Sequence, residues 1–453
     1  MAIHWGGKGP GHVSRWPRGV GAISPYSGAT MLLDFLNPVL DPRITFSRGT
    51  GATRVNQSGF IETVGNTTPR FDYDPVTLAP RGLLIEEART NLLLRSEEFD
   101  NASWSKVQLN TTGTPAWVNQ TASPDGLTTA DKLIPTAVSA QHYVAQAATV
   151  TAAAHTLTAY AKAAEYGFCV LSFYGATTTV TDKYAVFNLA TGVATDVAAG
   201  VTASAVNAGN GWYRLSITFT MLAAASVTQY IFASNASTYA GATFTGNGTS
   251  GIYVWGAQLE AGSFATSYIP TVASTVTRNA DVATMTGTNF SSWYNQSEGT
   301  FVTVGDYVSR TNFRIFMTAD NTPTLTSRIM INGDQTQQLV VTDSGSTVVN
   351  LTAGTAPEAN IPTRIAAAYM LNDFAVTRDG GTVATDNTGT APALNRLVIG
   401  YYPNGALYLN GHIRTIAYFN TRLPNAQLQT LTAPSLATTL SLDFTSGSYN
   451  VGF

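Results

Sequence analysis

Three stretches of alternating residues carry the side chains best suited to chemistry: 155–162, 212–219 and 252–260. Successive side chains of a strand point to opposite faces. Thr158, Tyr160 and Lys162 therefore oppose Leu157, Ala159 and Ala161. Trp212, Arg214, Ser216 and Thr218 oppose Tyr213, Leu215, Ile217 and Phe219, and Gln258 and Glu260 oppose Trp255 and Leu259. The outward set is Tyr160, Lys162, Trp212, Arg214, Gln258 and Glu260. It combines aromatic rings, which can cover the C–H face of a pyranose, with polar groups that can bond its hydroxyls. On this reading the set lines a glycan-binding face. The competing reading is structural: Trp212 caps the edge of a core, and the outward polar groups meet water or another subunit.

Other chemistry is sparse. Glu97, Glu98 and Glu260 offer oxygen ligands from separated strands, a set suited to a structural calcium ion, although no Asp-rich loop accompanies them. No other cofactor is expected. Glu86 and Glu87 read as solvated or paired with Arg89 or Arg95. No Gly-x-Ser-x-Gly, His-Glu-x-x-His or Cys-x-x-Cys motif occurs, and the five histidines have no acid at triad or ligand spacing. No strand carries the alternating acids of a retaining glucanase. The chain is therefore read as a non-enzyme, with a depolymerase drawing its acids from distant segments as an alternative. The single cysteine, Cys169, lies in an apolar run and reads as a buried thiol.

The elements that must hold these residues follow from composition. Of the 453 residues, 11% are charged and 44% hydrophobic. That charge content is less than half the usual share, which argues against long surface helices and coiled coils. Twenty Phe, 20 Tyr and 7 Trp give ample surface to bury. A net charge of −3 with scattered cations gives no field to attract nucleic acid. No apolar run is long enough to insert into a membrane, and the N-terminus lacks the apolar segment of a secretory signal.

The expected fold class is all-β, with two antiparallel β-sandwich (jelly-roll) domains in tandem behind an extended N-terminal arm. Residues 1–30 form the arm, rich in Gly and Pro, with Trp5, Arg15, Trp16 and Arg18 as candidate anchors on a partner; a frayed terminus is the alternative. Residues 31–90 read as a connector of short strands, 91–270 as the first sandwich, 271–433 as the second and 434–453 as a terminal strand or tail. Asp379-Gly380 marks a hairpin, and residues 423–428 mark a short helix.

Several motifs carry a resemblance. They are residues 44–54 (Ile-Thr-Phe-Ser-Arg-Gly-Thr-Gly-Ala-Thr-Arg), 82–92 (Gly-Leu-Leu-Ile-Glu-Glu-Ala-Arg-Thr-Asn-Leu), 96–104, 211–216, 253–260 and 267–271. Together they resemble the head-fibre, tail-fibre and tail-spike proteins of tailed bacteriophages. Residues 91–270 would then be a jelly roll similar to carbohydrate-binding modules. The run 409–423 resembles the closing strands of a laminin-G or concanavalin-A-like domain. The resemblance implies a structural protein of the virion surface, trimeric, attached to capsid or tail proteins and contacting host-surface polysaccharide. A capsid decoration or cement protein that binds no glycan is the alternative.

Overall fold

The computed structural model describes residues 25–112, 116–174, 183–309, 314–333, 338–355, 358–405 and 407–434. Trp5, Arg15, Trp16 and Arg18, and the tail from 435 onward, lie outside the described residues. The fold is all-β and antiparallel, built as two sandwiches.

In the first sandwich a five-stranded sheet packs on a seven-stranded one. The five-stranded sheet runs, by residue range, Thr202–Gly209, Trp212–Thr220, Ala154–Ala163, Ile252–Ala261 and Asp131–Leu133. The seven-stranded sheet runs Val193–Val197, Lys183–Asn188, Phe168–Tyr174, Ala225–Ser234 and Ser139–Val150, which carries both Thr243–Thr245 and Ser105–Val107. Period-two patterning produces the core. Leu157, Leu215, Ile217, Phe219, Leu171, Phe173 and Ile231 are all buried between the sheets. Phe173 stacks on Phe219 across the gap, with ring centroids 3.5 Å apart. Each such fully buried side chain contributes about 1.5–3 kcal/mol. Asn210 and Gly211 join two adjacent strands with φ of 52° and 79°, which fits a tight two-residue turn.

The second sandwich draws its strands from both sides of the first in sequence. Met31–Asp34 and Pro80–Ile85 pair with Gly411–Phe419, and Thr45–Ser47 pairs with Val282–Thr286. Residues 31–90, expected as a connector, thus supply strands to both sheets of this sandwich. Phe71, Leu83 and Ile85 share its core with Phe301, Phe316, Ile365 and Ile413. The Asp379-Gly380 turn lies within a hairpin, Phe374–Arg378 with Ala384–Asp386. The helix Asn425–Thr432 lays Leu428 on a stripe of small residues, Ala366, Ala368 and Ala375, on the outside of the sheet that carries Gly411–Phe419.

Candidate functional site

The residues read as an open ligand face are brought together by the fold, but they are covered. Tyr160, Trp212, Trp255 and Tyr268 form a buried aromatic cluster on the outside of the five-stranded sheet. Trp212 is 1% exposed, Tyr160 4%, and Gln258 and Glu260 0%. Trp212 Nε1 donates to the Ala122 carbonyl at 3.0 Å, and Trp255 Nε1 donates to Thr129 Oγ1 at 3.1 Å. Ile61, from the hairpin Ala52–Val55/Ile61–Val64, packs on the same cluster. Outward Trp and Tyr carry too much apolar surface to leave wet, and the chain's own segments cover them.

Trp255 departs from strict alternation. A β-bulge shifts the register between Thr158–Gln258 and Tyr160–Trp255, with Gly256 at φ 61°. Trp255 therefore joins Tyr160 on the outer face, while Val254, Ala257 and Leu259 face the core. Arg214 donates to the Thr266 carbonyl at 2.6 Å and lies 5.6 Å over the Tyr160 ring. Lys162 is half-buried beside Gly211.

The proposed calcium ligands are engaged separately. Glu98 pairs with Arg95 at 2.9 Å. Glu97 accepts from the Tyr268 hydroxyl at 3.0 Å. Glu260 accepts from the Thr266 hydroxyl at 2.7 Å and from Gln258 Nε2 at 2.8 Å. Among the described residues no group of three or more His, Cys, Asp or Glu is arranged to hold a metal ion. These three glutamates hold loops instead of forming a shared oxygen cage.

Three residues of the motifs, Arg48, Glu86 and Ser267, meet Arg70, Arg278 and Asp281 in one buried polar knot between the sandwiches. Arg70, fully buried, donates to Glu86 at 2.7 Å and to Ser267 Oγ at 2.7 Å, and pairs with Asp281. Arg48 donates to the other oxygen of Asp281 at 3.0 Å. Glu86 also accepts from Ser267 N at 2.8 Å and from Ser267 Oγ at 2.7 Å, with Arg278 at 3.4 Å. Burial opposes the charge on Glu86, but Arg278, Arg70 and Ser267 outweigh it and hold its carboxyl well below the usual range. Glu86 is thus neither solvated nor paired with Arg89 or Arg95; Arg89 takes Glu87. Alongside, Asn91 uses all four of its hydrogen-bonding positions on Leu93, Leu259, Ala257 and Ile269.

A second set of partly exposed aromatic side chains lies on the other sheet. Tyr143, Phe168, Tyr184, Tyr230 and Tyr239 are half-buried over Val170, Val186 and Phe232, on the outer face of the seven-stranded sheet. Cross-strand register sets two rows. One runs Val107, Tyr143, Phe232, Val170, Val186, Asp196, and the next runs Ser105, Ala145, Tyr230, Ser172, Tyr184. Tyr143 meets Tyr230 edge-on at 5.1 Å, and Tyr184 stacks on Tyr239 at 4.0 Å. Asp196 closes the first row and fixes the loop that brings Tyr239 over the sheet, accepting from Tyr239 N at 2.8 Å. These tyrosines stand at alternating positions of strands whose other face is core. Their one sign in the sequence is the aromatic residue at 143, 168, 184 and 230, each on a strand of alternating pattern.

A separate groove of about 470 Å³ opens where the first sandwich meets the ribbon Arg89–Asn91/Val276–Arg278. Its lining includes Thr149, Thr151, Thr277, the Glu87–Arg89 pair and His155. His155 Nδ1 donates to the Ala153 carbonyl at 3.0 Å, and burial lowers its pKa.

No family model matches the chain, and no curated protein matches it. Solved structures resemble it in fold. The CBM40 of Ruminococcus gnavus IT-sialidase bound to α2,3-sialyllactose is 12% identical, with a TM-score of 0.27 over 32% of this chain and 88% of that one. The LG1-3 region of the laminin α2 chain is 9% identical, with a TM-score of 0.23 over 63% and 66%. A SAP-like pentraxin from Limulus polyphemus is 16% identical, with a TM-score of 0.23 over 30% and 69%.

Proposed function

We propose that this protein is a non-catalytic surface component of a tailed-phage particle that binds saccharide through the tyrosine face of its first sandwich. The observation that carries the binding half is the set of partly exposed tyrosines on the outer face of the seven-stranded sheet. The virion half is supported by the resemblance of the 44–54, 82–104, 211–216 and 253–271 motifs. The arm at 1–30 is then the anchor and the sandwiches project. Binding is tested by calorimetry with host-surface polysaccharide, comparing the protein with Y143A/Y230A. Loss of the heat signal in the variant is expected. Anchoring is tested by deleting residues 1–30, which should leave the sandwiches folded and abolish incorporation into particles. Normal incorporation would place the anchor elsewhere.

A second reading, a decoration protein packed against its neighbours, is favoured by one feature. The edge strand Thr202–Gly209 has no charged residue; its own Val206 is 58% exposed, and Val193 and Val197 of the neighbouring strand Val193–Val197 are 56% and 40% exposed. Unguarded edges of this kind pair readily with another chain. Light scattering of the protein and of a V206K variant separates the readings: a V206K-sensitive oligomer that leaves saccharide unbound supports the decoration role.

A further inference from the structure

We infer that the tyrosine face takes neutral saccharides and rejects acidic ones, with Asp196 as the group that discriminates; this rests on the binding reading above. Among the described residues of the two registered rows, Asp196 is the one charged side chain. It is half-exposed. Its Oδ2 is held by Tyr239 N, while its Oδ1 has only the Tyr184 hydroxyl at 3.5 Å, which leaves that oxygen room to accept from a sugar hydroxyl.

The cations of the first sandwich are committed elsewhere. Lys106 Nζ donates to the carbonyls of Asp100 and Asn101 at 2.9 and 2.7 Å. Lys183 Nζ donates to the Ala199 carbonyl at 2.7 Å. Lys132 pairs with Glu165, and Arg95 with Glu98. Lys162 and Arg214 belong to the opposite sheet. A saccharide carboxylate seated on the tyrosine rings would therefore meet no guanidinium or ammonium partner and would face a like charge. Ring stacking and hydroxyl bonding, by contrast, need no charge. The face is complementary to a neutral chain whose pyranoses lie across the rows with one hydroxyl on Asp196.

The test is calorimetric titration with dextran, mannan and galactan, each beside its carboxymethylated form, for the protein, Asp196→Asn, Y143A/Y230A and Y143L/Y230L. The leucine pair keeps apolar bulk should the alanine pair fail to fold. At least one neutral polymer should bind, at least tenfold more tightly than its carboxymethylated form at low salt. D196N should narrow that gap to about threefold, and 0.5 M salt should narrow it in the unmodified protein. Equal or tighter binding of a carboxymethylated polymer, lost in the tyrosine variants, overturns the charge selection and leaves the tyrosine face standing. Binding that survives both tyrosine variants, or no binding by any polymer, overturns the tyrosine face itself.

Discussion

Replacing Glu86 with Gln should cost about 3–5 kcal/mol, because it breaks a buried ion pair while leaving the cations in place. The Glu86 carboxylate accepts from Arg70 Nη1, Ser267 N and Ser267 Oγ, all within 2.8 Å, and balances Arg278 at 3.4 Å. A glutamine keeps the shape but turns an NH2 group toward a donor, and each lost bond to a charged group is worth about 1.5–3 kcal/mol. Three buried arginines, Arg48, Arg70 and Arg278, would then be left with Asp281 as their one remaining acid in the knot. At about 2–4 °C per kcal/mol, the melting temperature should fall by roughly 10 °C.

Scanning calorimetry at pH 7 is the direct assay. Ser267 ends the first sandwich, whereas Arg70 and Asp281 flank strands of the second, so the variant's heat-capacity peak should also broaden or split. Because Glu86 has its pKa depressed in the folded state, its contribution is complete above the unfolded value near 4.3 and is lost as pH falls below it. The gap between protein and variant should therefore shrink at pH 3.5. E62Q is the control: the Arg54–Glu62 pair is partly exposed, at 2.7 Å, and its loss should cost under about 1 kcal/mol. An E86Q protein that melts within 2 °C of the parent at pH 7, with an unchanged peak, would refute the knot as the clasp between sandwiches.

Three further outcomes follow from buried polar groups. His412 lies between Asp306 at 2.8 Å and Asp72 at 3.0 Å; burial and Arg81 oppose its protonation, yet the two carboxylates raise its pKa. Its stabilisation is complete below the unfolded value near 6.5 and is lost as pH rises through the folded one, so urea titrations should show H412Q more destabilising at pH 6 than at pH 9. Glu97 is pushed up to about 7, chiefly by burial, so the native state loses stability as pH rises from about 4.5 to about 7. Glu97→Gln should gain about 1–2 kcal/mol at pH 8, after allowing for its partial exposure, and almost nothing at pH 3.5; a gain equal at both pH values would contradict the assignment. Gln229 is fully buried in the first sandwich with neither amide atom bonded among the described residues, and Gln229→Met should raise the urea midpoint by an amount worth about 1–3 kcal/mol.

The strands were legible in the sequence because alternation is a one-dimensional signal: residues 212–219 bury Leu215, Ile217 and Phe219 as their period requires. What alternation could not show was the second layer over a sheet's outer face. Trp212 and Tyr160 point outward as read, but segments near 61, 122 and 129, distant in sequence, close over them. The bulge at Gly256 was equally hidden, since one extra residue reverses the facing of everything on one side of it while leaving composition unchanged.

The charged motif residues pose the same problem in reverse. Arg48, Glu86 and Ser267 sit in motifs that carry polar groups, with no one-dimensional sign of what those groups bond. In three dimensions Glu86 bonds Arg70 and Ser267 while Arg48 bonds Asp281, and a buried charge engaged in this way is held by the protein's own groups. Such residues bear on function indirectly, by fixing how the two sandwiches meet. The tyrosines of the other sheet are different, because among the described residues their rings stay half-buried over a valine-lined sheet. In an all-β protein with so few charges, the proposed binding site therefore follows the aromatic surface that packing leaves partly exposed, on the sheet whose outer residues are the plainer ones.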